Sequence, residues 1–318
     1  MEESMLLKEL FRYRNACMGF AILWIMFFHC GAAITLEPFQ TVKALGYGGV
    51  DIFIFASGIG CWHSLKKNPD ALSFLERRAR RVLPTWITFM LIWWSTLDVQ
   101  GLEPPPSAFL GNLFFVQAFI DWRFSFNWYM SALPVLYILA PYFFALSARR
   151  SPMTVLTALL ILTVPFLDQD YLILVTRLPI FFLGFYVGAR RDSNIDRRTT
   201  IGVITLTALG FAILIGCEKT LPQLMLSRFG LWWYPFILIT PGLCLMLSTA
   251  FRRLPTLEKI FGLLGGLSFE VFLMHIMLWH VAKHHWGLDG TNWLMWFAAS
   301  LVGSAALRSA VKFLIGRR

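Results

Sequence analysis

Long apolar runs dominate this chain, and each is close to the length that a helix needs to cross a lipid bilayer. A bilayer core requires about 20 apolar residues per helix, and backbone groups in lipid must be hydrogen-bonded within the structure. Of the 318 residues, 57% are hydrophobic and 14% are charged, whereas about a quarter are charged in average globular chains. The runs exclude a soluble globular fold and predict an all-α, polytopic transmembrane helix bundle of about ten transmembrane helices. They lie near residues 16–36, 47–65, 82–99, 127–148, 153–168, 171–190, 199–217, 231–250, 261–283 and 292–315.

The basic residues predict how these helices are oriented. With the N-terminus inside, 21 of the 28 lysines and arginines fall in inner segments, five in outer loops, and two, Arg177 and Arg308, within helices. This bias is the positive-inside signature, so we expect both termini in the cytoplasm and a multi-pass protein of the cytoplasmic (inner or plasma) membrane. The same bias accounts for the net charge of +10, and we expect membrane lipid but no nucleic acid as a partner.

One shorter apolar segment does not fit a spanning helix. Phe109–Ile120, near residues 107–121, follows three consecutive prolines and has only 12 residues, which is too short to cross a bilayer. We interpret it as a re-entrant or interfacial segment. If it crossed, every later loop would change sides and the charge bias would be lost. The other connections are short, so residues 1–318 are predicted to form a single integral membrane domain.

The cysteines and clustered histidines do not indicate a metal or cofactor site. The five cysteines lie in or beside apolar runs and form no C-x-x-C pair, so neither a zinc knuckle nor a disulfide framework is predicted. His280 and His284 have the i, i+4 spacing of a metal-binding pair, but histidines at a membrane edge, with His285 beside them, are more often interfacial. We expect no bound metal and no resident cofactor.

His29 and Asp51 are ionisable residues inside apolar runs, where insertion of a charged side chain costs roughly 2.5–3.5 kcal/mol. At about 1.5 Å per residue, His29 lies roughly 20 Å from the inner end of the first helix, and Asp51 roughly 6 Å below the outer end of the second. The two residues are thus at similar depth on adjacent antiparallel helices. A carboxylate beside an imidazole fixes its tautomer and raises its basicity. We predict that His29 is a general base oriented by Asp51.

Other intramembrane polar residues are predicted near the same level. His275 lies roughly 21 Å from the inner end of the ninth helix and Arg177 roughly 9 Å below the outer face, whereas Glu270 is about 8 Å closer to the cytoplasm than His275. We therefore expect a polar cluster in the outer third of the bundle, with these three residues as candidate substrate-binding groups.

Four arginines are expected at the cytoplasmic start of the third helix, in the run Arg77-Arg78-Ala79-Arg80-Arg81. Guanidinium groups form bidentate hydrogen bonds with phosphates, and the dipole of a helix N-terminus favours an anion. This pattern predicts a phosphate-binding site. The alternative is that the arginines set the topology and bind lipid headgroups.

Six motifs together resemble the acyltransferase-3 family of integral membrane O-acyltransferases, in the order of that family and over nearly the whole chain. They are Met18 to Leu23 with Phe28-His29; Gly48 to Asp51 with Ser57-Gly58; Arg78-Ala79-Arg80-Arg81 with Pro84; Asn127-Trp128-Tyr129 with Tyr137 and Pro141; Arg177-Leu178-Pro179 with Gly184; and Leu267 to His275. The resemblance implies transfer of an acyl group, often acetyl, from cytoplasmic acyl-CoA to a hydroxyl of an extracytoplasmic or lipid-linked glycan. It makes His29 the catalytic histidine and Arg78 to Arg81 the cytoplasmic R-x-x-R motif.

The chain departs from the pattern of the family at two places. Many members carry an arginine 11 residues before the catalytic histidine, where this chain has Met18. Arg14 lies one helical turn below, on roughly the same face, and could substitute for it. Many members also have a glutamate where this chain has Leu133-Pro134.

The residues and the resemblance together predict a mechanism. His29 takes the proton of the acceptor hydroxyl, Arg14, Arg78 and Arg81 bind the donor, and Arg177, Ser57 or Trp128 stabilises the oxyanion. Direct transfer and a relay through an acyl-histidine are both compatible with these residues. Two other classes remain open: a transporter or flippase for a lipid-linked sugar or small solute that uses the buried charges, and a non-catalytic membrane sensor.

Overall fold

The computed structural model describes residues 6–32, 36–167, 169–191, 193, 196–288 and 291–316. Within these ranges the chain is built from α-helices joined by short loops and three 3-10 helices, Leu45–Gly48, Trp122–Phe124 and Val164–Phe166. The α-helices are α1 Leu6–Arg12, α2 Arg14–His29, α3 Glu37–Ala44, α4 Gly49–Lys67, α5 Ala71–Ser95, α6 Leu97–Gln100, α7 Ser107–Leu113, α8 Gln117–Ile120, α9 Trp128–Ser147, α10 Arg150–Thr163, α11 Gln169–Val175, α12 Leu178–Ala189, α13 Arg197–Thr220, α14 Gln223–Arg228, α15 Pro235–Arg253, α16 Pro255–Gly266, α17 Ser268–His285 and α18 Asn292–Leu314.

Six helical segments of the described chain are long and apolar enough to cross a membrane, or seven if α16 and α17 are counted as one bent span. The six are Glu37–Lys67, Trp128–Ser147, Tyr171–Ala189, Arg197–Thr220, Pro235–Arg253 and Asn292–Leu314. The other expected spans also fall on helices, but α2 has 16 residues, α10 has 14, and α5 carries five charged residues in its first half. An all-helical membrane protein is therefore confirmed, whereas ten crossings and two cytoplasmic termini stay predictions.

The run 261–283, expected as one straight span, is instead broken. Helices α16 and α17 meet at an angle of 69° around Leu267, directly after Gly265 and Gly266. Glycines weaken helix continuity, and sharp kinks are found where they occur. Because α17 begins at Ser268, His275 lies only about 10 Å along its helix at 1.5 Å per residue. The straight helix assumed in predicting the depth of His275 was therefore wrong.

The segment near 107–121 forms α7 and α8, of seven and four residues. Phe115 between them has a positive φ of 65°, a conformation that is uncommon for a residue other than glycine. The Asn112 amide fixes the turn, because it donates to the carbonyl of Phe124 and its oxygen accepts from the N–H of Phe126, at 2.9 and 2.7 Å. Neither helix is long enough to cross a bilayer.

Helix α2 packs at the centre of the bundle, mainly against α16 and α4, and α4 packs in turn against α12. Glycines allow these close crossings. A Cβ at Gly19 would collide with the carbonyl of Phe261, and one at Gly265 with the carbonyl of Asn15. Since α2 carries both Arg14 and His29, this crossing fixes the helix on which the site is built.

Candidate active site

Two cavities lie one above the other along the same four helices, α2, α4, α9 and α17. The first, which we call the arginine cavity, has a volume of about 210 Å³; the second, the histidine cavity, has about 510 Å³. Arg14 and His29, at opposite ends of α2, line the arginine and histidine cavities respectively. Their separation of 15 residues corresponds to about 22 Å along the helix.

Four arginines and one glutamate, a net charge of three positive, line the arginine cavity. They are Arg14, Arg78, Arg81, Arg308 and Glu270. Met18, Ser57, Tyr129, Tyr137, Ser268 and Phe272 complete much of the wall. A concave site with a surplus of guanidinium groups is suited to phosphate.

Only two of the four arginines in the predicted phosphate site line this cavity. Arg78 and Arg81 are three residues apart on α5 and share one face of the helix. The Arg78 guanidinium donates to the carbonyl of Gly60 at 3.2 Å and lies 5.1 Å from the ring of Phe74. Its Nε is buried without a hydrogen-bond partner. A buried donor of this kind is one that a ligand oxygen can satisfy.

Arg77 and Arg80 point elsewhere. Arg77 donates to Ser64 and to the carbonyl of Asn68 at the end of α4, and Arg80 forms an exposed ion pair with Glu76 at 2.6 Å. The expected help from a helix dipole was also wrong, because α5 begins at Ala71, several residues before the first arginine.

Asp70 caps the start of α5. Its carboxylate accepts a hydrogen bond from the N–H of Ser73 at 2.7 Å, and the hydrogen bonds from Ser73 lower the pKa of this carboxyl. The positive end of the helix is therefore already compensated by a side chain.

Glu270 is not part of the polar cluster with the histidines. It lines the arginine cavity and pairs with Arg308 of α18, with Nε 3.2 Å from Oε1. Arg308 also donates to the carbonyl of Gly266. Ser57 faces the same cavity, which separates it from the oxyanion candidates Arg177 and Trp128.

His29 is oriented by its own helix. Its Nδ1 lies 3.1 Å from the carbonyl oxygen of Ile25. A carbonyl can only accept, so Nδ1 carries the hydrogen in this contact and Nε2 of the uncharged ring keeps its lone pair. The side chain is half-buried and lines the histidine cavity. Its Nε2 is therefore available as a base.

Asp51 pairs with Arg177 and not with His29, which corrects the expected orienting contact. Asp51 Oδ1 lies 3.6 Å from Arg177 Nε, and both side chains are 2% exposed. Oδ2 has no hydrogen-bond partner. The reason is electrostatic: a guanidinium cannot lose its proton, so a buried arginine requires a carboxylate nearby.

The Arg177 guanidinium is also held between two aromatic rings. It lies 5.1 Å from the ring of Trp128 and 5.2 Å from that of Trp233. Such contacts stabilise a desolvated cation by about 2 kcal/mol. Arg177 and both tryptophans line the histidine cavity, together with Tyr47, Glu218 and Trp232. A fixed positive charge therefore faces the space beside His29.

His275 is fully buried, and its ring centroid lies 5.3 Å from that of His29. Its Nδ1 contacts the carbonyl of Val271 at 2.9 Å, while Nε2 has no partner. The four residues expected at one level thus form two contacting pairs, His29 with His275 and Asp51 with Arg177, and neither pair was predicted. His275 is absent from the lining of both cavities, so it contacts His29 on the side that faces away from the histidine cavity.

Several residues that line the two cavities could not be identified from the sequence. Arg308 was visible as an arginine inside an apolar helix but had no predicted role. Trp233, Tyr47 and Phe272 could not be distinguished, because 16% of the chain is aromatic and most such residues pack in cores. The described residues contain no group of three or more His, Cys, Asp or Glu placed to hold a metal ion.

An apolar helix bundle with a cationic cavity at one end and a histidine beside a buried arginine further along has the groups that a membrane-embedded group-transfer enzyme needs. Residues 15–307, nearly the whole chain, match the family model described as an acyltransferase domain, and the chain belongs to this acyltransferase-3 family. It is thus an integral membrane acyltransferase. Comparison with curated proteins gives no match, and neither does comparison with solved structures.

Proposed function

We propose that the protein transfers an acyl group, most simply acetyl, from cytoplasmic acyl-CoA to a hydroxyl of an extracytoplasmic or lipid-linked glycan. The observation that carries the proposal is the stacking of the arginine cavity and the histidine cavity along α2, α4, α9 and α17. The cytoplasmic (inner or plasma) membrane is the expected location, because the arginine cavity then opens on the basic, inner side. Membership of an acyltransferase family favours this enzyme over a transporter, flippase or sensor.

The donor is proposed to bind with its phosphates in the arginine cavity. Arg14, Arg78 and Arg81 line this cavity, and charge-assisted hydrogen bonds to phosphate are among the strongest in proteins. The pairing of Glu270 with Arg308 reduces the repulsion between this carboxylate and an incoming anion. The pantetheine arm would then extend along the bundle towards His29.

The acceptor is proposed to bind in the histidine cavity. Its walls are mainly apolar, with the aromatic rings of Tyr47, Trp128 and Trp233 among them, and contain few polar groups. Apolar walls with a small number of placed polar groups are typical of small-molecule sites. The ring of a sugar has apolar C–H faces that can pack on such walls while its hydroxyls reach His29 and Glu218.

The reaction requires one proton acceptor and one fixed positive charge. His29 Nε2 removes the proton of the acceptor hydroxyl as its oxygen bonds to the thioester carbonyl carbon. Arg177 stabilises the oxyanion that forms. The C–S bond then breaks, and the proton passes from His29 to the CoA thiolate. A relay through an acyl-histidine at His29 uses the same groups in two steps.

The proposal is tested with purified protein in detergent, acetyl-CoA and a glycolipid extract of the cell envelope. We expect free thiol to be released together with acetylated acceptor, and no release by His29→Gln. Absence of acetyl-CoA binding and of thiol release by the wild type in the presence of the extract would contradict the proposal. A transporter or sensor would give that result.

A further inference from the structure

Phe272 on α17 lies where the two cavities meet. It lines both the arginine cavity and the histidine cavity, and no other residue of the described chain does so. The residue is 4% exposed. The wall between the proposed donor and acceptor spaces therefore includes one aromatic ring that faces both.

Aromatic contacts connect this ring to both cavities. The ring of Tyr129, which lines the arginine cavity, packs edge-to-face against Phe272 with centroids 5.1 Å apart. On the other side the ring of His275 lies 5.6 Å from Phe272 and 5.3 Å from His29. A phenylalanine makes no hydrogen bonds, so its ring is held by packing alone and can change rotamer without breaking a polar contact.

We propose that Phe272 is the partition between the two cavities and that its bulk sets which acyl chains can be presented to His29. A donor with its phosphates at Arg78 and Arg81 would place its thioester against this ring. A short acyl group fits beside the ring, whereas each additional methylene must displace it. The role of Phe272 in selecting acyl chains rests on the proposed function, but its role as a partition does not.

The partition is tested by thiol labelling from each side of the membrane. In oriented vesicles, a Phe272→Cys variant should be modified by a small membrane-impermeant methanethiosulfonate reagent added to either side, above the background of the wild type. Two control variants replace residues that line one cavity only: Phe53→Cys in the arginine cavity and Tyr47→Cys in the histidine cavity. Each should react from its own side alone. Modification of Phe272→Cys from one side only, or from neither, would overturn the inference.

The effect on acyl chains is tested by calorimetry with acetyl-, butyryl- and hexanoyl-CoA. In wild type the affinity should not rise with chain length. In Phe272→Ala it should rise about fourfold for each methylene that enters the vacated space, as expected for burial of a CH₂ group. Phe272→Leu should show a smaller rise, which keeps the test valid if the alanine variant unfolds. Phe269→Ala, in the wall of the arginine cavity only, should keep the wild-type profile.

The outcomes separate the two proposals. If the wild type binds acyl-CoA but the Phe272 variants keep its chain-length profile, the role of Phe272 in acyl selection is wrong and the proposed function stands. If no acyl-CoA binds the wild type, the proposed function fails together with that role. The labelling result still decides whether Phe272 separates the cavities.

Discussion

The oxygen that orients the His29 imidazole belongs to the preceding turn of the same helix, at Ile25. This arrangement leaves Nε2 free on the side of the histidine cavity without a carboxylate partner. His275 has the equivalent contact with Val271, so each imidazole is held by its own helix. The catalytic assignment therefore rests on His29 itself, and its removal is the direct test.

His29→Ala is expected to lower acyl transfer by about 100- to 10,000-fold, the usual contribution of a general base. Folding should be retained, because alanine is favourable in a helix. Transfer of labelled acetyl groups is measured beside donor affinity and thermal stability, with the exposed His284→Ala as control. Retention of more than about a tenth of the activity would contradict the role of His29.

Asp51 and Arg177 are expected to behave as one buried unit. Asp51→Asn or Arg177→Gln alone should destabilise the protein by about 3–5 kcal/mol, because each leaves an uncompensated charge. The double variant should lose less than the sum, by at least about 1 kcal/mol, as contacting pairs do. Denaturant unfolding in detergent gives these values. Strictly additive losses would mean that the ion pair contributes no coupling.

The type of the polar residues and, where a helix is straight, their height along it could be predicted from the sequence, but their pairing could not. The cost of an ionisable group in lipid is enough to single out His29, Asp51, Arg177 and His275 in the sequence. Counting residues gives height along a helix but not the rotation of neighbouring helices relative to each other. That rotation decides that Asp51 meets Arg177 and that His29 meets His275.

At the scale of elements, the crossing of α2 and α16 positions both ends of the site. The backbones approach closely at Gly19 and Gly265, and a Cβ at either would meet main-chain atoms of the other helix. Main-chain atoms cannot move aside as the tip of a side chain can. The crossing is therefore sensitive to a single methyl group.

Gly265→Ala should lower the melting temperature in detergent, because overpacking costs typically about 1–3 kcal/mol. Gly262→Ala is the matched control on α16, since among the described residues its added Cβ would meet only the side chain of Glu258 of the same helix, at an ordinary contact distance of 3.7 Å. This control should be neutral or more stable by up to about 1 kcal/mol, from helix propensity. Equal melting temperatures for the two variants would show that the crossing tolerates separation.

Broken and charged helices are the elements that the sequence predicted least well. The apolar run through α16 and α17 is continuous, so hydropathy alone indicates one span although Gly265 and Gly266 permit the bend. The start of α5 was placed too late, since its first turns are polar and do not register as an apolar run. Two glycines permit the bend between α16 and α17, and the Asp70 side chain caps the start of α5.

At the scale of the whole molecule, the distribution of basic residues predicts that both termini face the cytoplasm. Reporters that are active only in the cytoplasm should function when fused to either end, whereas reporters that require export should not. The positive-inside bias provides the reason. Termini on opposite sides would require an odd number of crossings, and the ten-helix topology would then be wrong.

The central claim is that the arginine cavity binds the phosphates of a coenzyme A donor, and calorimetric binding of acetyl-CoA in detergent tests it most directly. Each lost charged hydrogen bond costs about 1.5–3 kcal/mol, so Arg78→Ala/Arg81→Ala should weaken binding by more than about 100-fold. Replacement of both by lysine should restore only part of this affinity. Arg77→Ala/Arg80→Ala removes the same charge from the same helix but from residues outside the cavity, and should leave the affinity nearly unchanged. An unaltered affinity in the Arg78→Ala/Arg81→Ala variant would contradict the claim and leave these arginines as lipid anchors.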